Sequence, residues 1–207
     1  MVDLPHISCR IQKSLKAADI ALSHSQVQEL VAAGLGYNTL VAYQYSPEEN
    51  PGLDKADYAL LDIDAMKRHA ADLGITNFPT QDFIRVFSET ARPIRAFSSF
   101  SDFVDDIFIC VETKIVLGSD EVSAAMSIAN AWLGHMDIKF EPTIELTEAE
   151  HFWNISVSAV IQGEHDPNRG CGGGQVNVSA TVRLAKVGRR CLAGLEILDV
   201  GASVVTR

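Results

Sequence analysis

The sequence predicts an α+β fold, with a helical N-terminal half followed by an antiparallel β-meander that packs against helices. Two observations support this prediction. Apolar residues recur at helical spacing through most of residues 7–133. From residue 136 onward they alternate with polar residues instead, as on strands with one solvent-facing side. The composition fits a folded chain, because 47% of its 207 residues are hydrophobic and 21% are charged.

Turn-forming residues divide the chain into three predicted parts. Residues 47–52, Pro-Glu-Glu-Asn-Pro-Gly, are rich in helix breakers and end a small three-helix unit at 1–46. A helical region at 53–95 follows. Residues 96–207 are expected to form an α+β domain that contains the sheet.

The predicted three-helix unit has recognisable helix signals. Its first helix is expected at 7–18. Ser23 and Ser25 are both suitable N-caps for the next helix, and Ser25 with Gln28 fits a capping box. Gly34 is expected to end that helix in a left-handed cap, since glycine adopts this conformation without steric cost.

Longer amphipathic segments follow in the middle of the chain. We expect helices at 54–73, 81–90, 101–116 and 120–133, the third beginning at an N-cap serine, Ser101. The 101–116 segment is rich in β-branched residues, so partial strand character is an open alternative there.

The strands of the predicted meander come from four alternating segments. They are expected at 136–140, 153–161, 176–184 and, as one or two strands, 192–205. Short links between neighbouring strands favour antiparallel pairing.

Charge is concentrated in one block of the sequence. The chain has a net charge of −10, and residues 102–150 contain eleven acidic residues against Lys114 and Lys139, a balance of −9. A field of this sign repels nucleic acids and anionic membranes and attracts basic partners. The candidate protein-binding residues are the acids of two predicted helices, namely Asp102, Asp105, Asp106, Glu112, Asp120 and Glu121. A solvated surface without a partner is the competing interpretation.

The sequence predicts a cytoplasmic protein with neither cofactor nor metal ion. It shows no secretory signal and no apolar run long enough to span a bilayer. Its four cysteines are scattered without a Cys-x-x-Cys pair, so free thiols are expected. Cys110, inside an apolar run, is predicted to be a core residue.

One short segment resembles a known group of proteins. Leu-Ser-His-Ser-Gln at 22–26, then Glu-Leu-Val-Ala at 29–32 and Leu-Gly-Tyr at 35–37, is similar to a helical segment of uncharacterised bacterial proteins from plasmids and mobile elements. Some of these are labelled as glyoxalase superfamily members. The resemblance covers about residues 7–45 and implies a bacterial, mobile-element setting without indicating a reaction. The family segment usually continues with an aromatic residue, where this chain has Asn38.

The same region suggests an alternative function, a DNA-binding regulator that uses a helix-turn-helix-like unit at 7–45. Two helices joined by a glycine turn, the second expected at 37–45, resemble a helix-turn-helix. The predicted second helix has no Lys or Arg, which weakens the suggestion. The residues available for nucleic-acid binding are Arg10, Lys13, Lys16, Asn38, Thr39 and Gln44.

A small enzyme is the second alternative, with its site near the loop 163–174. This loop contains Glu164, His165, Asp166 and Cys171, which are metal-ligand types, but it lacks the paired spacing of structural zinc sites. We therefore expect a non-catalytic bacterial or mobile-element protein that acts by protein–protein contact through the acidic block. Its partner is unknown and expected to be basic, and a homodimer is compatible with the sequence.

Overall fold

The computed structural model of the chain describes most of its residues, and the statements below concern only these. They are 3–17, 19–46, 53–75, 78–91, 93–116, 118–129, 136–139, 145–149, 151–163 and 174–205.

Helices dominate the first half of the described chain. The α-helices are α1 (Leu4–Ala17), α2 (His24–Gly34), α3 (Leu40–Gln44), α4 (Ile63–Asp72), α5 (Thr80–Thr90), α6 (Phe100–Val116) and α7 (Asp120–Ile128), with a 3₁₀ turn at Leu53–Lys55. The strands are β1 (Tyr58–Leu60), β2 (Arg95–Phe97), β3 (Met136–Lys139), β4 (Glu145–Glu148), β5 (Phe152–Gly163), β6 (Gln175–Lys186) and β7 (Cys191–Val205). The predicted α+β class is confirmed.

The sheet is mixed, so the prediction of a purely antiparallel meander was wrong in this respect. Its strand order is β2-β1-β7-β6-β5-β3, and β4 pairs separately with β5. Strands β1 and β2 run parallel, with Tyr58 opposite Arg95, whereas β3 and β4 are antiparallel to β5. The parallel pair was missed because each of its strands is three residues long, too short to show a period.

The chain forms two compact units. The first comprises residues 1–104 and 185–194, and the second comprises 105–184 and 195–207. In the first unit, α1 packs against α2 and α5, and α2 also packs against α4. Ile7, Met66 and Phe83 are fully buried in one hydrophobic core, which therefore draws on residues from both the 1–46 and the 53–95 segments.

The helix predicted at 54–73 is two elements. Its first part contains strand β1, whose three residues are all buried, and its second part is α4. Burial on both sides explains the error, because a fully buried strand shows a continuous apolar run and the run from Tyr58 to Leu61 also matches helical spacing.

The residues that cap the two ends of α2 lie a few positions from those expected. Ser23 is the N-cap, since its Oγ accepts the backbone N–H of Gln26 and the Gln26 side chain accepts the Ser23 N–H; Ser25 is not the capping residue. The left-handed glycine is Gly36, with φ of 87°, rather than Gly34. Gly34 packs closely against α4 instead, because a Cβ atom there would lie 2.7 Å from Met66 Sδ.

In the second unit, long strands β5 and β6 have one buried and one accessible face. Side chains of alternate residues are buried along both strands, as the period of two predicted. On the opposite face, Ser156 contacts Thr181 at 3.3 Å, and the Arg183 Nε donates to Asn154 Oδ1 at 3.3 Å. These two cross-strand pairs fit a single antiparallel register.

Candidate functional site

The acidic residues predicted to bind a partner lie on α6 and α7. Residues 100–116 form one helix, so the open alternative of a partial strand is excluded. The helix begins earlier than predicted because Ser99, and not Ser101, caps it. Ser99 Oγ accepts the backbone N–H of Asp102 at 3.1 Å.

The four carboxylates of α6 follow the helical spacing expected from the sequence. Asp102 lies in the first turn and is exposed, and Asp105 is also exposed. Asp106 and Glu112 are half-buried. Asp105, Asp106 and Glu112 belong to the second compact unit; the first two are adjacent, and Glu112 follows them by about two turns.

An apolar side chain lies among these carboxylates. Ile109 is 63% exposed, and it follows Asp105 by one turn and precedes Glu112 by one turn. On α7, Ile128 is 73% exposed. The sequence interpretation missed Ile109 because its β-branched type suggested a strand. The spacing of residues 105, 109 and 112 was the signal that could have located it.

The two acids of α7 have a local structural role. Asp120 and Glu121 lie in its first turn, where a negative charge stabilises the helix dipole. Ser119 caps this helix through the N–H of Val122, and its hydroxyl donates to Glu121 Oε2 at 2.7 Å. This hydrogen bond is the main cause of the lowered pKa of Glu121. We therefore define the acidic face as Asp105, Asp106, Ile109 and Glu112 of α6.

The residues of the DNA-binding alternative divide into two groups. Arg10, Lys13 and Lys16 are exposed on α1, at intervals of three residues. The helix predicted at 37–45 is only five residues long, Leu40–Gln44, and is thus shorter than expected.

The polar residues of that short helix are partly committed to its own structure. The Thr39 hydroxyl accepts the N–H of Ala42 at 3.0 Å as the N-cap. Asn38 precedes the cap, and Gln44 is the last helical residue; all three are exposed. A helix this short can place few side chains against the base edges in a DNA groove.

The loop of the enzyme alternative lies outside the described residues from 164 to 173, and only Gly163 and Gly174 at its ends are described. Across the described parts of the chain, no group of three or more His, Cys, Asp or Glu side chains is placed to hold a metal ion. Gly174 donates its N–H to the Ala129 carbonyl at the end of α7, and a Cβ atom at Gly174 would lie 2.5 Å from that oxygen.

One acid–histidine pair occurs in the first unit. His69 Nε2 of α4 lies 3.5 Å from Glu29 Oε2 of α2. The same carboxylate oxygen accepts the backbone N–H of Leu40 at 2.8 Å, where α3 begins. This arrangement explains Glu29 as a structural link between α2, α3 and α4.

An open cleft of about 590 Å³ lies in the second unit, on strands β5, β6 and β7. Polar side chains line much of it, including Ser158, Asn177, Ser179 and Ser203, together with Gly201. A Cβ atom at Gly201 would lie 2.9 Å from Ser179 Oγ, so glycine maintains the space there. The lining contains neither a charged side chain nor an aromatic one.

No helix of the described chain is long and apolar enough to cross a membrane. No protein-family model, curated protein or solved structure matches the chain. The resemblance of residues 7–45 to mobile-element proteins therefore stays a prediction.

Proposed function

We propose that this protein is a binding protein that acts by contact with another protein, through the acidic face of α6. The partner surface would be basic, with an apolar depression that receives Ile109. The observation that supports this proposal most directly is the 63% exposure of Ile109 between the carboxylates of Asp105 and Glu112.

The two chemistries of this face have different effects on binding. Burying an isoleucine side chain contributes roughly 1.5–3 kcal/mol, so Ile109 would supply affinity. The carboxylates of Asp105, Asp106 and Glu112 would steer a basic partner and reject acidic ones. Protein interfaces commonly combine an apolar centre with a charged rim in this way.

The distribution of charge supports the same choice of partner. Residues 102–150 carry −9 of the net charge of −10, and Asp105, Asp106 and Glu112 of the acidic face belong to this block. A basic protein surface would therefore approach faster and bind more tightly at low ionic strength.

Affinity isolation with matched variants tests the proposal. The wild type is compared with Asp105→Lys/Glu112→Lys and with a control, Asp54→Lys/Asp72→Lys, which changes the net charge equally at exposed positions of the first unit. We expect the wild type and the control to retain the same basic protein, and the α6 variant to lose it. Ile109→Ser should weaken binding about tenfold or more while leaving the charge unchanged.

A salt titration separates the electrostatic part of the proposal from the apolar part. The affinity of the recovered partner should fall as ionic strength rises, and the Ile109→Ser variant should show the same salt slope as the wild type. Failure to recover a partner, salt-independent binding, or equal loss in both charge variants would each contradict the proposal.

A further inference from the structure

The second half of β7 is apolar but is not buried. Seven of the eleven residues of Leu195–Val205 are aliphatic, and none of the eleven is buried. Leu198 is 40% exposed. Strand β6 beside it differs sharply, since Val176, Val182 and other alternate residues are almost fully buried. An apolar strand with this exposure is typical of an interface.

Among the described strands, this part of β7 also has a free hydrogen-bonding edge. Strand β1 pairs with β7 only at Cys191 and Leu192. Gly194, with φ of 60°, donates its N–H to Asp57 Oδ2 at 2.7 Å, and this contact ends the pairing. Within the described part of the chain, no strand pairs with residues 195–205 on the side away from β6. Long unprotected edges pair readily with another strand, and natural proteins usually cover them.

The sequence of this edge is complementary to itself. In an antiparallel pair centred on Gly201, the segment 197–205 faces the same segment of a second copy. The opposed side chains are then Ile197 with Val205, Leu198 with Val204, Val200 with Ala202, and Asp199 with Ser203. Apolar residues meet apolar residues, and no carboxylate lies opposite another carboxylate. Glycine at the centre permits close approach of the two backbones.

We infer that two copies of this chain join at the free edge of β7, antiparallel about a twofold axis near Gly201, so that their sheets become continuous. The partner is thus a second copy, because the segment 197–205 is complementary to itself. A twofold-symmetric contact between identical surfaces joins two subunits and forms a closed dimer. This inference involves β7 alone and does not depend on the acidic face of α6.

The first test is the molar mass of the protein in solution, measured by light scattering during gel filtration. We expect a dimer for the wild type. Amide hydrogen exchange in residues 195–205 should slow as protein concentration rises from about 1 to about 100 μM, because the free N–H groups become bonded at the interface. Exchange in the neighbouring strand β6, which is already paired in the single chain, should not change with concentration.

Two matched variants test the register. In Leu198→Lys/Val204→Glu each lysine faces a glutamate of the other copy, whereas in Leu198→Glu/Val204→Glu each glutamate faces a glutamate. Both positions are accessible in the single chain, so both variants should fold, which circular dichroism can verify. We expect the Lys/Glu variant to remain dimeric and the Glu/Glu variant to dissociate with a constant about 100-fold higher.

Two results would overturn the inference. One is a monomeric wild type at about 100 μM, since an edge of this length should pair at that concentration. The other is a dimer whose dissociation constant is the same in the Lys/Glu and Glu/Glu variants, which would place the interface elsewhere. If the wild type stays monomeric and the β7 edge pairs with a different protein, the inference is overturned in the same way.

Discussion

At the scale of single residues, burial determines the chemistry of the cysteines. Cys191 is 3% exposed at the start of β7, and burial raises the pKa of its thiol from an ordinary value of 9.0 to about 12. Cys110, predicted to be a core residue, is only half-buried, as is Cys9. Among the described cysteines, the buried one is thus Cys191 and not Cys110.

The shifted pKa of Cys191 predicts a loss of stability at alkaline pH. The unfolded chain can ionise this thiol above about pH 9, whereas the folded chain cannot until about pH 12. Stability is therefore fully present below pH 9 and falls between pH 9 and pH 12. Each pH unit in this window contributes about 1.4 kcal/mol, which gives a loss of about 2 kcal/mol at about pH 10.5.

Urea unfolding of the wild type and of Cys191→Ala, each at about pH 8 and about pH 10.5, measures this effect. Other groups also titrate here, so the relevant quantity is the difference between the two proteins. The wild type should lose about 2 kcal/mol more than the variant between the two pH values. Equal losses would show that the Cys191 thiol ionises normally in the folded state.

The roles of individual glycines could not be assigned from the sequence. The end of α2 was predicted within two residues, but Gly34 and Gly36 are both present there and only the backbone angles distinguish them. Gly36 has the positive φ, while Gly34 permits the close approach of Met66. The second reason depends on α4, which is distant in sequence, so no local pattern could reveal it.

At the scale of elements, the capping of α2 gives a direct test of the structure. Ser23 and Ser25 were equally suitable from the sequence, and the structure selects Ser23. Ser23→Ala should reduce the free energy of unfolding by about 1 kcal/mol, because it leaves the Gln26 N–H without its acceptor.

Ser25→Ala is the matched control for this capping prediction. Within the described part of the chain, its hydroxyl hydrogen-bonds only that of Ser23, at 3.1 Å, and alanine is the better helix former. The change in stability should therefore stay within about 0.5 kcal/mol of zero. Thermal or urea unfolding of the two variants measures both effects, and a larger loss for Ser25→Ala would mean that the box predicted from the sequence forms instead.

Period and length explain which elements were predictable. Strands β5 and β6 have twelve residues each and alternate regularly, so their positions were predicted closely. The four-residue strand β4 and the three-residue strands β1 and β2 were missed. The long strand β7 was located, but its free edge was not, because an edge is defined by the absence of a neighbour and not by the strand's own residues.

The candidate site was predictable in part for a similar reason. Helical spacing indicated that Asp102, Asp105, Asp106 and Glu112 lie on turns of one helix, and all four lie on α6. The exposure of Ile109 depends on what packs against the helix, and the apolar residues 107 and 111 of the same helix are buried. Residue type does not distinguish Ile107 from Ile109, and only the spacing of Ile109 from Asp105 and Glu112 could have done so.

At the scale of the whole molecule, charge bears on the choice between a protein partner and DNA. The chain has 27 acidic residues against 17 Lys and Arg residues. DNA binding depends on neutralising several phosphates, and the exposed cations available on α1 are Arg10, Lys13 and Lys16. The net negative charge of the protein would oppose the approach of a polyanion, most strongly at low salt, where the Debye length is longest.

We therefore predict no DNA binding. A gel-shift titration should show no retarded band at micromolar protein, either with random-sequence DNA or with the DNA upstream of the gene for this protein. The titration is made at low salt, where phosphate contacts are strongest. Arg10→Ala/Lys13→Ala/Lys16→Ala is the informative variant if a band appears. A retarded band that this variant abolishes would establish α1 as a phosphate-binding surface, despite the five-residue length of α3. Such a result would favour the DNA-binding alternative over the protein-contact proposal, because α1 would then bind phosphates despite the net charge of −10.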